Sequence, residues 1–324
     1  MHPSIEKAYR ILDGQPLDYK DALELILLKG DDTLDLISLA HKIKLRYRKG
    51  NHICSIINAK SGKCSEDCRF CAQSSHYDTS CDAFPMLDTD TIVKEACIAY
   101  EAGITHFGIV TSGFGYPEYT DEFQKLISVI DIIKNELPSL EVCASLGVLG
   151  EDTAKALCGK GIAHYNHNIQ VTPEKYGELV SLSHTVTRRI NTVKLIKKYG
   201  ANTCCGGIFG IGETPEERVE LAFALRDMDI DIIPLNVLIP IKGTPYADYN
   251  TVSAFETVKA FAVMRLVNPD KIIKFGAGRE TVMKDFQGLI MLIADGFISG
   301  GYLTVRGRSV EEDKRLLYEL SAFD

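Results

Sequence analysis

The chain has 324 residues, 45% hydrophobic and 25% charged, with a net charge of −8, which suits one large soluble domain or two small ones. No dense basic segment offsets that charge, so nucleic acid is not an expected partner; Lys194, Lys197 and Lys198 sit in the last turns of a predicted helix, where cations complement the dipole. No apolar run reaches the roughly 18–20 residues that span a bilayer and no signal pattern opens the chain, so a cytoplasmic protein is expected, whose ten cysteines are ligands or buried thiols rather than a disulfide framework.

The first fifty residues read as three helices, Ser4 to Leu12, Asp18 to Leu28 and Leu34 to Tyr47, with apolar residues at i, i+3, i+4 spacing. Gly14-Gln15-Pro16 and Gly30-Asp31-Asp32 break them. They form an N-terminal helical extension (1–50) on a larger body (51–310), followed by a C-terminal helix (311–324).

From residue 52 strands and helices alternate. Predicted strands are Ile53–Ala59, His106–Val110, Glu141–Leu146, His164–Ile169, Thr203–Phe209, Ile232–Ile239, Ile272–Phe275 and Phe297–Leu303. Helices between them are expected at Thr89–Ala102, Asp121–Leu137, Asp152–Cys158, Val186–Tyr199, Pro215–Arg226, Ser253–Leu266 and Glu280–Ile293. Thr214-Pro215-Glu216-Glu217 is a capping box with proline at the first helical position, and Gly103 and Gly200 stand where helices stop. Eight strands in this alternation predict an α/β fold of the (β/α)8 TIM type, with its active site at the C-terminal ends of the strands. Gly206–Gly212 is glycine-rich, but its glycines continue a strand rather than opening a phosphate turn.

Directly after the first strand comes Cys64-Ser65-Glu66-Asp67-Cys68-Arg69-Phe70-Cys71. Three thiolates so close repel one another unless a metal centre takes up their charge. A zinc site would want a fourth ligand, and no second C-x-x-C pair exists in the sequence. Three ligands point to a [4Fe-4S] cluster with one open iron. A C-x3-C-x2-C loop with an aromatic before its last cysteine resembles that of the radical S-adenosylmethionine enzymes. In that superfamily the open iron binds S-adenosyl-L-methionine, and Phe70 would lie beside the adenine.

The fourth strand ends Tyr165-Asn166-His167-Asn168. Alternation puts Asn166 and Asn168 on one face, toward the lumen, and Tyr165 and His167 on the other. Amides inside a barrel must bond something polar, and they suit a neutral cyclic urea or a ribose. Asn236 on the sixth strand adds a third amide; His167 reads as an outward-packed structural histidine.

The cysteine loop in its frame Asn58–Ser75, the Tyr165–Gly177 run, Gly206–Thr214, Lys242-Gly243-Thr244-Pro245 and Ala277-Gly278-Arg279-Glu280 resemble the biotin synthase family, in that family's order, over roughly residues 50–310. The resemblance implies sulfur insertion into dethiobiotin by a radical made from S-adenosyl-L-methionine, with an auxiliary iron–sulfur cluster as sulfur source. It also implies an electron donor such as flavodoxin or ferredoxin, and a homodimer. By motif match, Arg189 would pair with the cofactor carboxylate, Asn168 would touch cofactor and substrate, and Asn166 and Asn236 would lie near the ureido ring. Gln170 stands where the family often has an aspartate on the cofactor ribose.

The auxiliary cluster is where the chain departs from the family pattern of three cysteines and an arginine. Cys143 and Cys204 match two of the cysteines, but Gly108 stands at the third position and Lys274 at the arginine. Cys54 on the first strand is the expected replacement. Cys54, Cys143 and Cys204 would form a three-thiolate site, better matched to a four-iron cluster than to a [2Fe-2S] one, with Cys205 in reserve on the opposite face. Two other readings remain open: a related radical enzyme acting in hydrogenase maturation or pyrrolysine biosynthesis, and a non-catalytic iron–sulfur or zinc protein.

Overall fold

The computed structural model describes residues 1–47, 50 and 52–323; the expected domain edges at Asn51 and Asp324 fall outside them. Helices α1 (Pro3–Ala8), α2 (Tyr19–Ile26) and α3 (Asp31–Tyr47) form the N-terminal extension. Asp18 caps α2 by accepting from the Asp21 amide. The apolar faces of these helices (Leu25, Ile26, Leu36, Leu39, Ala40, Ile43) share one core with the barrel residues Leu225, Phe261 and Phe297. The extension is therefore packed onto the body rather than tethered to it.

Eight parallel staves close into a barrel: β1 (His52–Lys60), β2 (His106–Thr111), β3 (Glu141–Ser145), β4 (His164–Asn166), β5 (Asn202–Cys204, resumed at Gly207–Phe209), β6 (Ile232–Val237), β7 (Ile272–Phe275) and β8 (Gly296–Ile298). Each pairs with the next, and β8 pairs back onto β1 through His52↔Gly296 and Cys54↔Ile298. The connecting helices are α4 (Thr89–Glu101), α5 (Asp121–Glu136), α6 (Glu151–Gly159), α7 (Tyr176–Leu179), α8 (Val186–Lys198), α9 (Pro215–Asp227), α10 (Ala254–Val267) and α11 (Gln287–Met291), with α12 (Val310–Leu320) last. The Thr214/Glu217 capping box at α9 forms as read from sequence. Gly103 and Gly200 take positive φ beyond α4 and α8. No helix among the described residues is long and apolar enough to cross a membrane.

Several segments differ from the sequence expectation. The fourth stave, expected through Ile169, ends at Asn166. The fifth stave breaks at Cys205–Gly206, opposite Pro234, which has no N–H to offer the ladder; the Gly206 amide donates to Asn168 Oδ1 at 2.9 Å instead of to a neighbouring strand, and only glycine fits there, since a Cβ would stand 1.8 Å from Pro234 O. The helix expected over Glu280–Ile293 is reduced to a 3-10 turn, Lys284–Phe286, and the short α11. The last stave ends at Ile298; Gly301–Tyr302 then pairs antiparallel with Val305–Arg306 as a small hairpin. That hairpin turns Tyr302, Leu303 and Thr304 over the barrel mouth, where they line the cavity there.

Candidate functional site

The three-cysteine loop leaves the C-terminal end of β1 and folds back on itself. The Cys64 amide donates to Gln73 O (2.9 Å), Ser75 N to Cys64 O (2.8 Å) and Cys71 N to Cys68 O (2.9 Å). Asp67 ties the loop to the segment before α8: its carboxylate accepts from the hydroxyls of Ser181 and Ser183 and from the amides of Leu182 and Ser183. Burial pushes the Asp67 pKa up, but these hydrogen bonds outweigh it and bring the group down to about 2. The Lys242-Gly243-Thr244-Pro245 motif buttresses the same loop from outside. Gly243 has φ +94°, and a Cβ there would lie 1.9 Å from Asp78 O, so only glycine lets the two backbones meet.

Burial pushes the Cys68 thiol up to about 11 and the Cys71 thiol up to about 12. Neither would be a thiolate near neutral pH without a metal centre to take its charge. Arg189 lies alongside, with Nη2 3.8 Å from Cys68 Sγ, Nε donating to Tyr176 OH (2.6 Å) and Nη1 to Asn168 O (3.0 Å). Among the described residues no three His, Cys, Asp or Glu side chains converge as a single metal ion requires. A four-iron cluster puts each thiolate on its own iron and asks for wider spacing, so the loop could hold one.

Beneath the loop two cavities lie along the barrel axis. The mouth cavity, about 640 Å³ of space free of atoms and partly open to solvent, is lined by Phe70, Cys71, Asn168, Gln170, Asn236 and Tyr302 among others. The lumen cavity, about 680 Å³ of atom-free space that likewise includes some open solvent, is lined by Cys54, Cys143, Cys204, Lys274 and Asn166 among others. Asn168, Tyr302 and Leu303 belong to both walls.

Asn166 at the end of β4 and Asn168 just beyond it both face this axis, as the alternation requires. Asn166 Nδ2 donates to Asn168 Oδ1 (3.0 Å) and approaches Cys204 Sγ (3.4 Å). Tyr165 and His167 pack on the opposite face, both buried. Asn236 is held by backbone: Nδ2 donates to Gly207 O (3.1 Å) and Oδ1 accepts from Ala277 N (2.8 Å). Gln170 takes φ +72° at the rim, an uncommon conformation for a residue other than glycine.

Deep in the lumen, Cys54, Cys143 and Cys204 are all buried, and Lys274 reaches between strands to place Nζ 3.0 Å from Cys54 Sγ. Burial works against the charge on Lys274, but Cys54, Cys204 and Cys143 around it hold its pKa above the ordinary value. A buried ammonium requires an anionic partner, and burial pushes the Cys204 thiol up to about 11 in the metal-free chain. Three thiols around one cation fit a negatively charged, sulfur-rich group. Gly108 lies on the same wall. A Cβ there would stand 3.0 Å from Ile56 Cγ2, so Ile56 takes the space beside the position where the family pattern has its third cysteine. Cys205 points away from the lumen into the core.

The Ala277-Gly278-Arg279-Glu280 motif is a clasp. Arg279, 3% exposed, makes two bonds to the Asp313 carboxylate at 2.7 and 2.9 Å and a third to Gln287, locking α12 to the barrel. Sequence reasoning missed the Tyr302–Thr304 hairpin and His164, which stands against Cys143 in the lumen. The adjacent Gly300-Gly301 pair, in a stretch read as strand, was the available sign of a turn.

A closed (β/α)8 barrel with three cysteines in the loop after its first strand is the architecture of a radical S-adenosylmethionine enzyme. The chain matches the Radical SAM superfamily over residues 58–225 and the Biotin and Thiamin Synthesis associated domain over residues 234–322. It is 56% identical over 326 residues to the biotin synthase of Chlorobium luteolum and 54% identical over 328 residues to that of Chlorobium limicola, each match covering 100% of this chain and 98% of the relative. The chain belongs to the biotin synthase family, whose members use a [4Fe-4S] cluster and S-adenosyl-L-methionine. Among solved structures it superposes on methylornithine synthase with a TM-score of 0.83 at 18% identity, covering 98% of both chains. A maturase of the [FeFe]-hydrogenase gives a TM-score of 0.81 at 17% identity, covering 98% of this chain and 73% of that one. At such identities these two share the fold alone.

Proposed function

We propose that this chain inserts sulfur into dethiobiotin to form biotin, with Cys64, Cys68 and Cys71 holding the [4Fe-4S] cluster and Cys54, Cys143 and Cys204 holding the auxiliary, sulfur-donating cluster. The observation that carries the reading is the stacking of two cavities on one axis, a three-cysteine loop over the upper and three cysteines around Lys274 in the lower. When bound, the upper cluster and S-adenosyl-L-methionine supply a 5′-deoxyadenosyl radical, and the lower cluster supplies sulfur. The chain does the rest: it binds and aligns.

Phe70 packs beside the cofactor, and Arg189, with little freedom left by Tyr176 and Asn168, is placed to meet a carboxylate. Gln170 meets the ribose. Asn168 stands between the cavities, so one amide orients both the cofactor and the ureido ring, with Asn166 and Asn236 beside it. Ile208, Leu238 and Tyr302 give the mouth an apolar lining, which suits chemistry that must leave solvent hydrogens untouched. In the lumen Lys274 offsets the charge of the three thiolates and does not ligate iron, since an ammonium has no lone pair to give. This donor set favours a four-iron auxiliary cluster over a [2Fe-2S] one. A flavodoxin or ferredoxin supplies the electron, and two copies pair as a homodimer in the cytoplasm. The extension (1–50), barrel (51–310) and C-terminal helix (311–324) act as one body.

Anaerobically reconstituted protein given S-adenosyl-L-methionine, a reductant and dethiobiotin is expected to form biotin, with 5′-deoxyadenosine released faster when dethiobiotin is present. Release of 5′-deoxyadenosine indifferent to dethiobiotin, with no biotin formed, would refute the reading.

A further inference from the structure

The interior layers of such barrels are built mainly from branched aliphatic side chains. Here, at the N-terminal end of the lumen, imidazoles stand in a row. His52, His106 and His164 open β1, β2 and β4, with ring centroids 5.1 Å apart for His52 and His106 and 5.8 Å apart for His106 and His164. Thr105 Oγ1 lies 2.8 Å from His106 Nδ1 and fixes the middle ring. His164 is the innermost: it is 5% exposed, lines the lumen cavity and stands in register with Cys143 on β3. Its Nδ1 lies 3.2 Å from Cys143 Sγ.

A pattern emerges across the lumen. Lys274 Nζ faces Cys54, Asn166 Nδ2 faces Cys204, and His164 Nδ1 faces Cys143. Each lumen sulfur has one nitrogen of its own. In the metal-free chain the Cys143 thiol can itself donate to the imidazole; once the sulfur is on iron it carries no proton, and only an N–H···S bond remains.

We propose that His164, protonated on Nδ1, donates a hydrogen bond to the cluster-bound Cys143 sulfur, and so positions that ligand and raises the reduction potential of the auxiliary cluster. It is a positioning residue acting through Cys143, and the inference rests on Cys143 being a ligand. A hydrogen bond withdraws charge from a thiolate ligand and favours the reduced cluster. The His106 ring packs against His164 from behind, centroid to centroid 5.8 Å.

The test uses the anaerobically loaded full-length enzyme with His164→Phe, which fills the space without a donor, and His164→Asn, whose amide places a donor near the Nδ1 position. Redox titration followed by electron paramagnetic resonance reads both clusters. The Phe variant is expected to shift the one-electron equilibrium of the auxiliary cluster tenfold toward the oxidised form, about 59 mV lower, without moving the upper cluster. The Asn variant is expected to recover most of that shift. An unchanged auxiliary potential in the Phe variant, or an equal shift in both variants, would overturn the proposal. So would strong nitrogen hyperfine coupling in the wild type that the Phe variant loses, since that marks a direct ligand. If the Phe variant does not fold, His164→Leu against His164→Asn gives the same comparison. Cys143→Ala separates the two layers: retention of full auxiliary iron there defeats the ligand reading itself, whereas its loss alongside an unmoved His164→Phe potential defeats only this inference.

Discussion

Replacing Cys54 tests the lumen site at the member that departs from the family pattern. Its Sγ lies 3.0 Å from the ammonium of Lys274, a residue 2% exposed. Cys54→Ala removes a sulfur and also leaves that ammonium without its nearest acceptor. An unsatisfied buried group costs about 1–3 kcal/mol, so the melting temperature of the metal-free chain should fall by about 2–4 °C. Cys54→Ser separates the two effects, because a hydroxyl still accepts from Lys274 but is a poor iron ligand at neutral pH. The Ser variant should regain most of the melting temperature yet, after anaerobic reconstitution, hold iron near the Ala value. That value is about four irons per chain against about eight in the parent, as expected for one surviving cubane. The upper cluster should survive in both variants and still cleave S-adenosyl-L-methionine, while biotin formation is lost. Full iron loading of either variant would refute Cys54 as a ligand.

Three further substitutions probe how the fold supports the site. Asp67→Ala leaves two amides and two hydroxyls of the 181–183 segment without their acceptor; isothermal titration should show S-adenosyl-L-methionine binding weakened by about tenfold, equivalent to one lost charged hydrogen bond of about 1.4 kcal/mol, and unchanged affinity would argue that Asp67 is incidental. Gly243→Val would force a branched residue into φ +94° and its Cβ to within 1.9 Å of Asp78 O. It should cost more than about 3 kcal/mol by denaturant titration, and a loss under 1 kcal/mol would mean the two loops can part freely. Asp313→Ala strips the buried Arg279 of its two-point carboxylate partner and leaves only Glu280 at 3.2 Å, at a cost of about 3 kcal/mol, and limited proteolysis should then release α12 first.

Much of this architecture was legible in the sequence because its signals are local. The loop Cys64–Cys71, the capping box at Thr214 and the alternation that turns Asn166 and Asn168 together depend on neighbours a few positions apart. What escaped depends on distant backbone. The strand is interrupted at Gly206 because it faces Pro234, which has no N–H for the ladder, and no spacing rule reports that. The hairpin at Gly301–Arg306 replaced the end of a predicted strand because apolar Tyr302 and Leu303 are consumed in covering the mouth, not in extending the sheet. Asn236 illustrates a different limit. Its amide was expected to face a ligand, yet both ends are engaged by Gly207 and Ala277 backbone, so a polar side chain in a barrel can serve the scaffold as well as the substrate. His164 gave no signal at all, since a lone histidine opening a strand acquires meaning only when Cys143 comes into register beside it.

The most direct test of the whole account follows the sulfur atom. Enzyme rebuilt anaerobically with isotopically heavy sulfide and freed of excess label is given S-adenosyl-L-methionine, reductant and dethiobiotin for one turnover, and the biotin formed is weighed by mass spectrometry. Heavy sulfur is expected in the product of the parent enzyme, and no product from Cys54→Ala. Light sulfur in biotin from a fully labelled enzyme would contradict it.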